Sequence, residues 1–175
     1  MIEPTKQKLL IGVISDTHIP SRTDIIPQEI VDDFKAKNID YIFHLGDYTT
    51  LEAYKQLTST FGEDKVIGIS GNMDSSDINR KLPSTRELEV FGHRIFLTHG
   101  SGGPNRIIKR LNKQYDLTSY DIIIFGHVHQ PINQKENGKY YFNPGTPTDK
   151  RFTDVNSYGF LEISKDTVNF EIIRM

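Results

Sequence analysis

Five short runs of this chain are apolar almost from end to end and then stop at polar residues: KLLIGVIS before Asp16, YIFHLG before Asp47, KVIGIS before Gly71, RIFLT before His99 and DIIIF before Gly126. A strand with one wet face alternates apolar and polar side chains, so unbroken runs of Ile, Leu, Val and Phe require cover on both faces. That requirement points to parallel α/β sheet with helices laid over it. The intervening segments can supply the helices. Residues 27–37 carry Ile30, Val31 and Phe34 at helical spacing behind Pro27, and Thr49 or Thr50 can cap a helix bearing Leu51, Tyr54 and Leu57. Pro104 opens a third, with Ile107, Ile108, Leu111 and Tyr115 on one stripe.

The rest of the chain reads as antiparallel. RELEV and RIFLT flank Phe91-Gly92-His93, INQKE and KYYFN flank Asn137-Gly138, and YGFLEIS and TVNFEII flank Lys165-Asp166, three hairpin signatures. The sheet structure is therefore mixed. The polar stretch through Pro83 and the segment 146–157 read as loops, and 175 residues make one domain, 1–175.

Composition removes whole classes of function. With no cysteine, disulfide scaffolds, zinc–thiolate sites, iron–sulfur clusters and thiol nucleophiles are excluded. Lys and Arg number 21 against 23 Asp and Glu, so no net field favours nucleic acid or an anionic membrane. The run Leu9–Ile14 is too short for a secretory leader, and no stretch approaches the ~20 apolar residues of a membrane span, so the expected location is the cytoplasm.

The five apolar runs end in Asp16-Thr17-His18, Gly46-Asp47, Gly71-Asn72, His99-Gly100 and Gly126-His127-Val128-His129. In open α/β sheets ligands bind at the carboxyl ends of strands, so the five tips are expected to converge. Asp16 with His18, and His127 with His129, are i, i+2 pairs that extended chain would project to one side. Seven donors result: Asp16, His18, Asp47, Asn72, His99, His127 and His129. Seven exceed what one catalytic zinc takes and suit two first-row ions about 3.5–4 Å apart, with a carboxylate bridging them. Oxygen and imidazole donors without thiolate leave manganese, iron, zinc, nickel and cobalt open.

DTH at 16–18, GD at 46–47, GN at 71–72, HG at 99–100 and GHVH at 126–129 resemble the ordered motif set of the calcineurin-like metallophosphoesterases. With NPGT at 143–146 followed by a hairpin, the chain is similar to their small YfcE-like phosphodiesterase branch. The resemblance implies a four-layer α/β/β/α sandwich with two mixed sheets. It implies one ion held by Asp16, His18, Asp47 and His129 and another by Asp47, Asn72, His99 and His127, with Asp47 the bridge. Asn72 and His99 would also contact substrate. Many relatives place a proton-donating histidine after the motif asparagine, where Met73 stands here, and some have another where Ser101 stands.

Two readings follow. In the first the chain is a two-metal phosphodiesterase acting through a metal-bridging hydroxide on a small phosphate ester or diester. In the second it is a protein-interaction scaffold with a vestigial metal site, as the resemblance to the retromer sorting subunit allows. Homo-oligomerisation is compatible with either. Outside the motifs, His44 and His93 read as structural, Lys109, Arg110 and Lys113 as a solvated helix face, and Asn143-Pro144-Gly145 as a turn supporting the site.

Overall fold

The computed structural model describes residues 6–175; the first five positions of the expected domain lie outside it. In chain order the elements are β1 (Lys8–Ile14), α1 (Gln28–Ala36), β2 (Tyr41–His44), α2 (Leu51–Phe61), β3 (Val66–Gly68), α3 (Ser76–Lys81), β4 (Thr85–Val90) and β5 (His93–Thr98). There follow α4 (Ile107–Gln114), β6 (Ile122–Phe125), β7 (Ile132–Glu136), β8 (Lys139–Asn143), β9 (Ser157–Ser164) and β10 (Val168–Arg174).

The strands form two mixed sheets, β10-β9-β1-β2-β3 and β4-β5-β6-β8-β7. In the first, β1, β2 and β3 are parallel and the β9–β10 hairpin adds antiparallel to β1. In the second, β5, β6 and β8 are parallel, with β4 and β7 antiparallel at the edges.

Side-chain alternation sorts the apolar residues into three packed layers. Leu9, Ile11, Val13 and Phe43 of the first sheet meet Ile95, Leu97, Ile122 and Ile124 of the second in the central core. The opposite face of the first sheet takes Ile30 and Phe34 of α1, Ala53 and Leu57 of α2, and Ile78 of α3. On the outer face of the second sheet, Phe96, Ile123 and Phe125 receive Ile107 and Leu111 of α4. Three buried seams between four layers are the expected α/β/β/α sandwich, and they explain why the middles of β1, β2, β5 and β6 are unbroken apolar runs. Among the described residues no helix is long and apolar enough to cross a membrane.

Several local expectations change. Pro27 is the residue before the first turn of α1, with extended ψ of 127°, because its fixed φ suits either place. Pro104 sits three residues ahead of α4, which is entered through left-handed Arg106. Thr50 precedes α2, but its hydroxyl bonds the Ile19 carbonyl at 3.1 Å and leaves the helix end uncapped. The stretch before Pro83 contains α3, whose six residues bury one apolar side chain and so carry no readable period. Arg110 is not merely solvated: its guanidinium donates to the carbonyls of Ser101, Gly103 and Asn105 and ties down the loop ahead of α4.

Candidate metal centre

The parallel register of β1 on β2 continues beyond both strands, with Asp16 N–H donating to Gly46 O at 3.0 Å and His18 N–H to Asp47 O at 3.0 Å. In the second sheet Gly126 N–H donates to His99 O at 3.1 Å, and the two sheets are tied where His127 N–H donates to Asp16 Oδ2 at 3.0 Å. Five strand tips from two sheets thereby meet at one end of the molecule. Two glycines permit the approach. A Cβ on Gly126 would lie 2.0 Å from Ser15 Oγ and 2.8 Å from Asp16 Oδ2, and one on Gly46, at φ +88°, 2.6 Å from Gly71 N.

The donors do not project from extended chain. Asp16, His18, Asp47, His127 and His129 all have positive φ, between 48° and 72°. The i, i+2 spacing therefore acts through left-handed kinks that turn each side chain inward. Asp and His are among the side chains that tolerate this region, yet each such residue costs on the order of 1–2 kcal/mol.

Asp16, Asp47 and His99 are each held by the protein at one atom and turned inward at the other. Asp16 Oδ2 accepts from Ser15 Oγ and from His127 N–H at 3.0 Å, while Oδ1 is buried without a hydrogen-bond partner. Asp47 Oδ1 accepts from Met73 N–H at 2.8 Å, leaving Oδ2 3.3 Å from His99 Nε2 and 3.8 Å from His18 Nε2. His99 Nδ1–H donates to Leu45 O at 2.6 Å, which aims Nε2 inward. His129 directs Nδ1 towards Asp149, 3.6 Å away, and Nε2 towards Asp16 Oδ1 at 3.3 Å and His18 Nε2 at 3.3 Å.

Asp16, His18 and His129 each offer an atom within 4.8 Å of the others, and so do Asp16, Asp47 and His99. Asp16 belongs to both groups, and Asp47 also faces a histidine of each. His127 is half-buried with Nδ1 3.3 Å from His99 Nε2, and Asn72 is exposed in a cleft it shares with His99.

Electrostatics prepare the cluster for positive charge. Burial would raise the Asp16 carboxyl, but the nearby His129 imidazole, the charge of His99 and the Ser15 hydroxyl outweigh it and hold it at about 2. Burial opposes charge on His99, yet its bond to Asp47, the charges of Asp16 and Asp47 and the Leu45 carbonyl raise it to about 9. His18 and His127 are pushed down, chiefly by burial, and so offer lone pairs. An unpartnered carboxylate oxygen facing imidazole nitrogens that repel one another is the arrangement a divalent cation resolves, so the residues fit the ions that the motifs imply.

Two carboxylates outside the motifs hold this arrangement. Asp74, in the segment read as loop, accepts from Asp47 N–H at 3.0 Å, Thr49 N–H at 2.7 Å and Gly71 N–H at 2.7 Å, pinning two tips together. Asp149 is 1% exposed and takes Arg151 on both oxygens and Arg22 at 3.3 Å. The segment read as a surface loop is thus partly internal: Thr146 Oγ1 bonds Asp16 O and Thr148 Oγ1 bonds Thr17 O, each at 2.8 Å. Asn143 Nδ2 donates to Gly126 O at 2.6 Å, so the Asn143 turn does brace a tip.

His44 and His93 are structural. His44 stacks on Tyr48 at 3.6 Å, bonds Thr17 Oγ1 at 3.1 Å and is pushed down to about 3, first by burial. His93 Nε2 donates to Ser164 O at 3.0 Å.

Fold and site together define a class: a two-sheet α/β sandwich whose strand ends gather carboxylates and imidazoles suited to divalent cations. The chain belongs to the calcineurin-like phosphoesterase superfamily, whose domain matches residues 9–166. A Methanothermobacter thermautotrophicus protein named as a probable metallophosphoesterase is 35% identical over 166 residues, covering 95% of this chain and 92% of that one. A Methanocaldococcus jannaschii protein named as a phosphodiesterase is 25% identical over 148 residues, 77% of this chain and 82% of that one. The solved structure of Vps29 from Entamoeba histolytica, complexed with zinc, superposes with a TM-score of 0.73 at 26% identity, covering 95% of this chain and 99% of that one.

Proposed function

We propose that this phosphoesterase-family protein hydrolyses small phosphate diesters with two divalent transition-metal ions, manganese foremost. Asp16, His18, Asp47 and His129 would hold one ion, and Asp47, Asn72, His99 and His127 the other. The observation that carries the reading is the convergence of the buried donors in two overlapping groups, with Asp16, Asp47 and His99 each anchored at one atom and open towards the cluster at the other. Divalent cations there supply Lewis acidity, polarising phosphoryl oxygens and making water a stronger acid.

The chain's own residues supply the rest. The left-handed tips fix the donors before substrate arrives, so little reorganisation is left for the reacting state. Asn72 and His99 share one cleft wall, where the Asn72 amide and the His99 ring can contact the phosphate. Met73 offers no proton, so substrates whose leaving oxygen is already a good one are favoured. The diester preference is supported by the relative named as a phosphodiesterase.

The scaffold reading has one observation in its favour, the likeness to Vps29. Because that structure carries zinc, metal occupancy alone does not separate the two readings; turnover does. With manganese, bis(p-nitrophenyl) phosphate is expected to be hydrolysed, chelator to abolish the rate, and Asp47→Ala to lose more than His18→Ala, since one serves both ions and the other serves one. Metal-loaded protein no faster than Asp47→Ala would leave the scaffold reading standing.

A further inference from the structure

Among the described residues four large apolar side chains are exposed; Met73 and Phe152 stand beside the donors, and Phe152, at 61%, is the aromatic one of the pair. Its ring meets His129 edge to face, with centroids 5.4 Å apart. A lone exposed aromatic needs no explanation by itself, but this one is held in place from both sides. Arg151, immediately before it, is fixed on buried Asp149 through its backbone N–H and its guanidinium, and Gln130 Nε2 donates to the Phe152 carbonyl at 3.3 Å. The Arg151 guanidinium also lies 5.2 Å from the ring centroid.

Phe152 forms part of the wall of an open cleft of about 440 Å³ together with Pro131, Lys150, Arg151, Asp154 and Arg174. With Arg151 paired to Asp149, Lys150 and Arg174 still outnumber Asp154, so this rim keeps a positive excess on a chain whose net charge is −2. The volume lies within the ordinary range for a small-molecule site.

Resting on the phosphodiesterase reading, the geometry points to Phe152 as the stacking platform for a planar aromatic group, a nucleobase or aryl ring, carried on the phosphate that the donor cluster binds. The histidine whose Nε2 faces the cluster has its ring against Phe152, so the platform stands one side chain away from the phosphate position. A flat ring laid on Phe152 covers apolar surface now left in water, and the flanking guanidinium adds a cation–π contact. A ring-bearing ester therefore gains affinity here that an alkyl ester does not.

The test is fluorescence polarisation of etheno-adenosine monophosphate with manganese present, using wild type, Phe152→Ala and Phe152→Tyr, all checked for unchanged melting. Wild type should bind, Phe152→Ala should bind about tenfold more weakly, the size expected for one lost base–aromatic stack, and Phe152→Tyr should stay close to wild type. In parallel, Phe152→Ala should raise KM for bis(p-nitrophenyl) phosphate more than it lowers kcat. Equal nucleotide binding by wild type and Phe152→Ala, or the same loss in Phe152→Tyr as in Phe152→Ala, overturns the inference. Nucleotide binding that depends on position 152 in a protein with no diester turnover would sustain the subsite while sinking the phosphodiesterase reading.

Discussion

Met73 directly follows Asn72, with its side chain 57% exposed and its backbone N–H fixed on Asp47 Oδ1 at 2.8 Å. A replacement ring would thus start from an anchored backbone and extend into solvent beside the donors. Met73→His is expected to speed hydrolysis of esters with poor leaving groups by up to roughly 10²-fold, and of good ones much less. The measurement is log rate against leaving-group pKa, and a variant slope as steep as wild type refutes the role of position 73. The clustering of the motif side chains was legible because carboxylates and imidazoles recur at the ends of apolar runs, and the structure brings Asp16, His18, Asp47, His99 and His129 together. Asp74 and Asp149 were not legible. They accept backbone N–H and guanidinium groups, and a carboxylate doing so has no spacing that distinguishes it from a surface charge, although Asp149-x-Arg151 was a local hint.

Among the elements, the hairpins around Asn137-Gly138 and Lys165-Asp166 fell where turn chemistry put them, since the turn residues and the strand alternation agree. The tips were harder. Period-two geometry predicts extended chain, and the left-handed kinks at five donors lie where segments distant in sequence meet, with Asp16 N–H on Gly46 O, His18 N–H on Asp47 O and His127 N–H on Asp16 Oδ2, which no single segment encodes. Asp74 is the fastener between two of these segments. It joins the β2 tip to the β3 tip through three N–H groups, and exchanging its carboxylate for an amide turns an NH₂ towards at least one of them. Asp74→Asn should cost about 2 kcal/mol, or roughly 4–8 °C in melting midpoint. Calorimetry of the metal-free variant checks this. A midpoint within 1–2 °C of wild type, on the order of error for such a domain, would show that the tips do not need the clamp.

For the molecule as a whole, three apolar seams oppose the strain concentrated at one end. Five donors at on the order of 1–2 kcal/mol each is a sum comparable with the roughly 5–15 kcal/mol by which proteins are folded. Cations that bind only the folded cluster offset that cost. Manganese at a hundred times its Kd should stabilise the protein by about 2.7 kcal/mol, or roughly 5–11 °C, and chelator should reverse it. Asp16→Asn, which weakens the oxygen facing both donor groups, should lose most of the shift, and an undiminished shift in that variant would place the ions elsewhere. Cover on both faces of the central strands was readable in their unbroken apolar runs, whereas the four layers and two sheets were implied by the resemblance of the motifs. The strain was not readable, because it is recorded only in backbone angles. Those angles also set a direction for sequence drift. If heat survival in chelator were the only thing selected, Asp16, His18, Asp47, His127 and His129 would be the first positions surrendered to glycine, and a thermostable descendant would have forgotten its chemistry while keeping its shape.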